Sequence, residues 1–297
     1  MARLAFLGTP EPAAYCLSAL VEAGHEVALV ITEPDKRRGR GSDTSATPTK
    51  VVADRFGLPV SHVVADCTGI GAELGVVVAF GRLIRPAVLE QLPMINLHFS
   101  LLPRWRGAAP VERAILAGDE VTGVCLMRLE EGLDTGPVYA REVLAIGGDD
   151  ASALRNRLTY SGARMLVDHL ADGLASLGDA EPQAGEVTYA AKITPEDVHI
   201  GWASAANEIG RLVRVGRAWT TWRGDRFLVW SAEVAESPGA AFHNAAAMPP
   251  GTIGPGGVVV TGDGFLRLTG VQPEGRKRQD AGSWLQGARI AAGEAFV

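Results

Sequence analysis

Cysteine is scarce in this chain, and the pattern missing around it excludes several chemistries. Cys16, Cys67 and Cys125 are the only three in 297 residues. None forms a CxxC pair and no His/Cys cluster has zinc-ligand spacing, so neither a disulfide framework nor a metal site is expected. Three widely spaced thiols read as reduced residues of a cytoplasmic protein. Long apolar runs are lacking too. Residues 4–7 are closed by Gly8-Thr9-Pro10, too short for a signal-peptide apolar region. No run approaches the roughly 20 residues of a membrane-spanning helix, so no membrane partner is expected. There is no GxxxxGK[ST] motif. The first loop, Gly8-Thr9-Pro10-Glu11-Pro12, lacks GxGxxG and places Glu11 where it would repel a pyrophosphate. A dinucleotide site is thereby disfavoured. Basic residues are in deficit, 28 Lys and Arg against 34 Asp and Glu. The chain is no polybasic nucleic-acid binder, and any such partner needs a local basic patch.

What is present is alternation. Residues 4–7, 27–31, 76–79, 94–98 and 123–129 read as strands, with helices at 12–23 and 47–55 between them. That order predicts an α/β fold with a parallel-rich sheet and helices on both faces. Ligands of such sheets bind beyond the carboxyl ends of the strands. A long helix is expected over 150–177. Periodicity fades over 185–202, which reads as a linker. Beyond it come a short helix at 203–215 and short strands at 227–230, 252–253, 258–261 and 265–269, separated by Gly, Pro and Asp-Gly turns. These predict a smaller β-barrel or sandwich. The expected organisation is a catalytic domain over 1–184, a linker over 185–202 and a second domain over 203–297.

The chemistry concentrates in Asn96-Leu97-His98-Phe99-Ser100-Leu101-Leu102-Pro103-Arg104-Trp105-Arg106-Gly107. Alternate residues of a strand share a face, so Asn96, His98 and Ser100 are expected to point the same way at a strand's end. His98 is read either as a structural imidazole or as an acid–base group, and the neighbouring amide and hydroxyl weigh toward the second. Asp134, in Glu131-Gly132-Leu133-Asp134-Thr135-Gly136-Pro137, is either an ordinary turn aspartate or a carboxylate brought to His98 from another strand end. Glu130 and Glu131 compete for that role. Asp35-Lys36-Arg37-Arg38-Gly39-Arg40-Gly41 is a concentrated basic loop in an acidic chain, a candidate phosphate contact. Arg276-Lys277-Arg278 forms another basic patch.

With these residues in view, the chain resembles the methionyl-tRNA formyltransferases. The run from Asn96 to Pro110 and the run Gly132-Leu133-Asp134-Thr135-Gly136-Pro137 carry the likeness. Phe6-Leu7-Gly8-Thr9-Pro10, Val77-Val78-Ala79-Phe80-Gly81 and Tyr189-Ala190-Ala191-Lys192-Ile193 support it. The Ser-Leu-Leu-Pro signature at 100–103 is shared by the wider folate-dependent formyltransferases. The resemblance implies a Rossmann-like formyltransferase domain and an OB-like β-barrel C-terminal domain. It implies 10-formyltetrahydrofolate as donor, methionyl initiator tRNA as acceptor and no metal. It further implies catalysis by Asn96, His98 and Asp134, a folate site lined by Ser100, Leu101, Leu102 and Pro103, and Arg40 on the acceptor stem. A monomer is expected. Three departures stand out: Lys36-Arg37-Arg38 is more basic than the family's usual loop, Phe80 replaces a frequent Tyr, and 215–224 is shortened. The rival readings are a formyltransferase acting on an amino-sugar nucleotide, a non-catalytic tRNA-binding module, and a hydrolase releasing formate.

Overall fold

The computed structural model describes residues 1–37, 44–235, 237–239, 242 and 244–297. It divides into two compact units. Unit 1 comprises 1–111, 120–147 and 153–191, and unit 2 comprises 112–119, 148–152 and 192–297.

Unit 1 is built on a seven-stranded sheet. In chain order its elements begin with β1 (Arg3–Gly8), α1 (Glu11–Glu22) and β2 (Glu26–Ile31). A short pair, β3 (Lys36–Arg37) with β4 (Thr44–Ser45), precedes α2 (Pro48–Arg55). Thr47 caps α2 by accepting the Lys50 N–H, and Pro48 sits where a helix needs no N–H. Then follow β5 (Val60–Ser61), β6 (Leu74–Val78), α3 (Pro86–Leu89) and β7 (Met94–His98). The sheet order is β10-β9-β7-β6-β1-β2-β5, with β9 (Val121–Arg128) and β10 (Val138–Ala145) at one edge. The five strands from β5 to β7 run parallel. β9 runs antiparallel to β7, and β10 antiparallel to β9. The fold is thus the expected α/β arrangement with a mostly parallel sheet. A two-strand pair of β8 (Arg106–Gly107) and β11 (Tyr189–Ala190) lies apart from it. The helix expected over 150–177 is α5 (Ala151–Leu170). It stops before Gly173, whose φ of +75° takes the chain out of the helical region, and a 3₁₀ turn covers Gly173–Leu177.

The apolar alternation around β7 does not translate into an exposed face. All five of its residues are buried, because β7 lies between β6 and β9 and is covered on both faces.

In unit 2, residues 112–117 of α4 (Pro110–Ala117) supply part of the chain and α6 (Ala206–Val215) precedes an antiparallel sheet. The sheet order is β12 (Ala218–Trp222), β13 (Asp225–Ala235), β15 (Phe265–Pro273), β14 (Val258–Val260), with β16 (Gln279–Asp280) on β15. Asp280 then caps α7 (Ala281–Ala288) by accepting the Ser283 N–H. The core joins Ile209, Phe227, Val229, Leu266, Leu268 and Trp284, among others. Trp222, Phe227, Trp284 and Phe296 pack at centroid distances from 4.8 to 6.0 Å. Among the described residues, no helix of the chain is long and apolar enough to cross a membrane.

Candidate active site

A cleft of about 440 Å³ opens in unit 1 beyond the carboxyl ends of β6 and β7. Three segments wall it: one within 77–84 at and beyond the end of β6, 96–99 at the end of β7, and 129–134 after β9, with Gly107, Ala108 and Pro110 beside them. This is where a parallel sheet leaves room for a ligand.

Asn96 and His98 reach the cleft from alternate positions of β7. They are only 9% and 6% exposed. Buried polar groups need partners, and those of His98 define its chemistry. Its Nε2 lies 2.9 Å from the Trp105 carbonyl oxygen. A carbonyl only accepts, so Nε2 carries a proton and donates it there. Nδ1 is left on the side of Asp134, 3.6 Å from Oδ2. The Asp134 side chain is 12% exposed, and the same Oδ2 accepts the Gly107 N–H at 2.8 Å.

Asp134 arrives by a route the alternation pattern does not suggest. Because β9 is antiparallel to β7, its last residues lie beside the start of β7, where Leu129 donates to the Met94 carbonyl at 2.8 Å. Loop 129–137 therefore folds back over the sheet to reach His98 at the other end. Gly136 is needed for that course, since a Cβ there would collide with the Arg128 carbonyl oxygen. Asp134 itself has φ +51°. A non-glycine residue held there costs on the order of 1–3 kcal/mol, which neighbouring contacts must offset.

Ser100 and its three followers stand elsewhere. Ser100 lies past the end of β7 and is fully buried; its hydroxyl donates to the Arg104 carbonyl at 2.5 Å and is not on the cleft wall. Leu102 packs with Cys125, Met127 and Val138. Leu101 and Pro103 are also absent from the wall. None of the four is on this cleft's wall, and together they shape the loop that holds Trp105. Arg40 lies outside the described residues. Glu130 and Glu131 do line the cleft, yet Asp134 is the carboxylate that faces His98.

On sequence alone the segment 80–84 has no role in the site, and Phe80 stands out only as a departure from the family. Phe80 and Ile84 are buried in the cleft wall, while Leu83 is 86% exposed beside it. Leu133, 56% exposed, is its counterpart on the 129–134 segment. A leucine set among glycine and charged residues in each of the two segments is the signal the sequence offers. Cys125 pairs in register with His98, but burial pushes its thiol up to about 11, so it stays protonated at neutral pH. Among the described residues, no group of three or more His, Cys, Asp or Glu could hold a metal ion.

A protonated imidazole edge tied to backbone, a free ring nitrogen beside a carboxylate, and a side-chain amide on one wall suit proton transfer at a polarised carbonyl. The chain belongs to the formyl transferase family: residues 2–170 match the formyl transferase model and 192–289 match the formyl transferase C-terminal domain. Within that family it is similar to the methionyl-tRNA formyltransferase of Dinoroseobacter shibae, 42% identical over 98% of this chain and 99% of the relative. The methionyl-tRNA formyltransferase of Roseobacter denitrificans is 41% identical over 99% and 98%. The fold is shared with an N-formyltransferase from Helicobacter canadensis, solved with folinic acid and dTDP-3-aminofucose. That match has TM-score 0.68 and 16% identity over 94% of this chain and 100% of that one.

Proposed function

We propose that the chain transfers the formyl group of 10-formyltetrahydrofolate to the α-amine of methionyl initiator tRNA, with Asn96, His98 and Asp134 at the reacting carbon. The observation that carries this reading is the His98–Asp134 pair on the cleft wall beside Asn96. It occurs in a chain matched end to end by methionyl-tRNA formyltransferases. Likeness to the sugar enzyme is at the level of fold, so an amino-sugar acceptor is not favoured.

The cleft takes the donor's ring system between the 80–84 and 129–134 segments, whose leucines and Phe80 offer apolar contact. His98 and Asp134 receive the proton lost as the amine nitrogen bonds to the formyl carbon. The Asn96 amide donates to the oxygen that becomes negative in the tetrahedral adduct, an interaction typically worth roughly 3–4 kcal/mol. As that adduct collapses, the bond from carbon to the folate nitrogen breaks and the folate nitrogen regains a proton. The Trp105 carbonyl keeps the His98 ring from turning, so Nδ1 is the nitrogen that exchanges protons. Holding amine and formyl group in contact supplies several kcal/mol more, as a rough figure.

The tRNA is held elsewhere by its backbone: by Arg40 on the acceptor stem, and by unit 2, where Arg226 lies over Trp219 and Arg278 over Trp230. The enzyme acts as a cytoplasmic monomer, which size-exclusion chromatography and cell fractionation check.

The direct test mixes purified protein, 10-formyltetrahydrofolate and charged initiator tRNA, with an amino-sugar nucleotide in a parallel reaction. Formylmethionyl-tRNA is the expected product. Turnover only with the sugar nucleotide overturns the acceptor assignment. Formate release without either acceptor overturns transfer.

A further inference from the structure

The two loops that meet at His98 and Asp134 come from distant parts of unit 1, and a third segment ties them together. Residues 181–190 run past both. Glu181 exchanges backbone hydrogen bonds with Val138, at 2.8 and 2.9 Å. The Thr188 hydroxyl accepts the Trp105 N–H at 2.9 Å, and its carbonyl accepts the Arg106 N–H at 2.9 Å. β11 then pairs with β8.

Between these anchors one side chain touches both loops. Gln183 is half-buried while Pro182 and Ala184 on either side are exposed. Its Nε2 donates to the Asp134 carbonyl at 2.7 Å and to the Gly136 carbonyl at 2.8 Å. Its Oε1 accepts from Arg106, at 2.6 Å from Nη2 and 3.1 Å from Nε. Both amide protons and both oxygen lone pairs are therefore engaged. A surface glutamine serving only solubility would leave most of them to water.

The placement bears on the catalytic pair from two sides. Asp134 holds an uncommon φ of +51°, and Gln183 bonds the carbonyl of that same residue. Arg106, the other partner, directly precedes Gly107, whose N–H grips the Asp134 carboxylate. Gln183 fixes the Asp134 backbone by itself and the Asp134 side chain through Arg106 and Gly107.

We propose that Gln183 is a positioning residue, clamping the loops at 106–107 and 134–136 so that the Asp134 carboxylate stays against His98. The proposal rests on the reading of Asp134 and His98 as catalytic. Gln183→Leu removes all four hydrogen bonds. It is expected to lower kcat about 10- to 100-fold, the scale of a misplaced catalytic group, with KM for donor and tRNA changed by less than about 2-fold. Gln183→Glu keeps an acceptor for Arg106 but sets a carboxylate against two carbonyls. It should lose kcat similarly, and it carries the test if the leucine variant melts below assay temperature.

The deciding arm is a double-mutant cycle. In an Asp134→Asn background, Gln183→Leu should cost less than about 2-fold more, because nothing is left to position. A residue that only supports the fold multiplies the two losses instead. Multiplied losses, or wild-type kcat in a folded Gln183 variant, overturn the proposal while Asp134→Asn alone remains crippled. Full turnover by Asp134→Asn overturns the reading of the catalytic pair and the proposal with it.

Discussion

A polar network of unit 2 and the cleft pair of unit 1 end their hydrogen bonds in different places. In unit 2 the indole of Trp202 donates to the Thr220 hydroxyl, that hydroxyl donates to the Val297 carbonyl, and the Trp222 indole donates to Glu294. Each chain of bonds ends on a partner within the same unit. In unit 1 the imidazole of His98 has one nitrogen fastened to backbone and the other facing a carboxylate across 3.6 Å, on a cleft wall. Satisfied networks rigidify a core, whereas a polar group left open to a cleft is available to a substrate. Residues that hold the molecule together thereby stand apart from those proposed to act.

That separation breaks most visibly under mutation of the cleft. Asp134→Asn should lower transfer about 10²- to 10⁴-fold and Asn96→Ala about 10²- to 10³-fold, each with an unchanged melting temperature. Equal loss of stability and activity would place these side chains with the structural group. In unit 2 the opposite is expected. Phe227, buried among Trp222, Trp284 and Phe296, should cost about 3–5 kcal/mol in denaturant unfolding when changed to alanine. The chemical step in the protein that remains folded should be unaffected, which single-turnover measurement reads.

Acid sharpens the contrast next. Arg223, with the Ala291 N–H and the Trp222 indole, holds the Glu294 carboxyl down to about 2 from an ordinary 4.5. The folded value lies below the ordinary one. The stabilisation is therefore complete above about pH 4.5 and is lost as pH falls toward 2. Tryptophan fluorescence should report loosening of unit 2 across that window, and Glu294→Gln should flatten it. The smallest effect is at the cleft mouth. Leu83→Ser removes about 1 kcal/mol of apolar contact with the donor, so KM for 10-formyltetrahydrofolate should rise about fivefold with no change in melting temperature.

Much of unit 1 is legible from local pattern. Short apolar runs closed by glycine and proline locate β1, β2, β6 and β7, and the run from Asn96 to His98 brings two of the three catalytic candidates to the cleft. What local pattern cannot give is strand direction. The antiparallel course of β9 depends on pairing with β7, so the fold-back of loop 129–137 is invisible until the sheet is assembled. β10 is an edge strand with alternate residues exposed, and β12 hides behind a tight turn at Arg223-Gly224, both at positive φ. Alternation does mislead at Ser100. The strand has already ended at His98, and the hydroxyl turns back to its own loop. Gln183 could not be singled out at all, because its three partner residues lie 47 to 77 residues away in the chain.

The His98 ring carries the proposed chemistry most directly. Single-turnover formylation of methionyl initiator tRNA, wild type against His98→Ala at saturating donor, measures it. The expected result is a rate lower by about 10²- to 10⁴-fold in a variant that melts like the wild type. Near-normal formylation by folded His98→Ala would contradict the claim that this imidazole moves the proton.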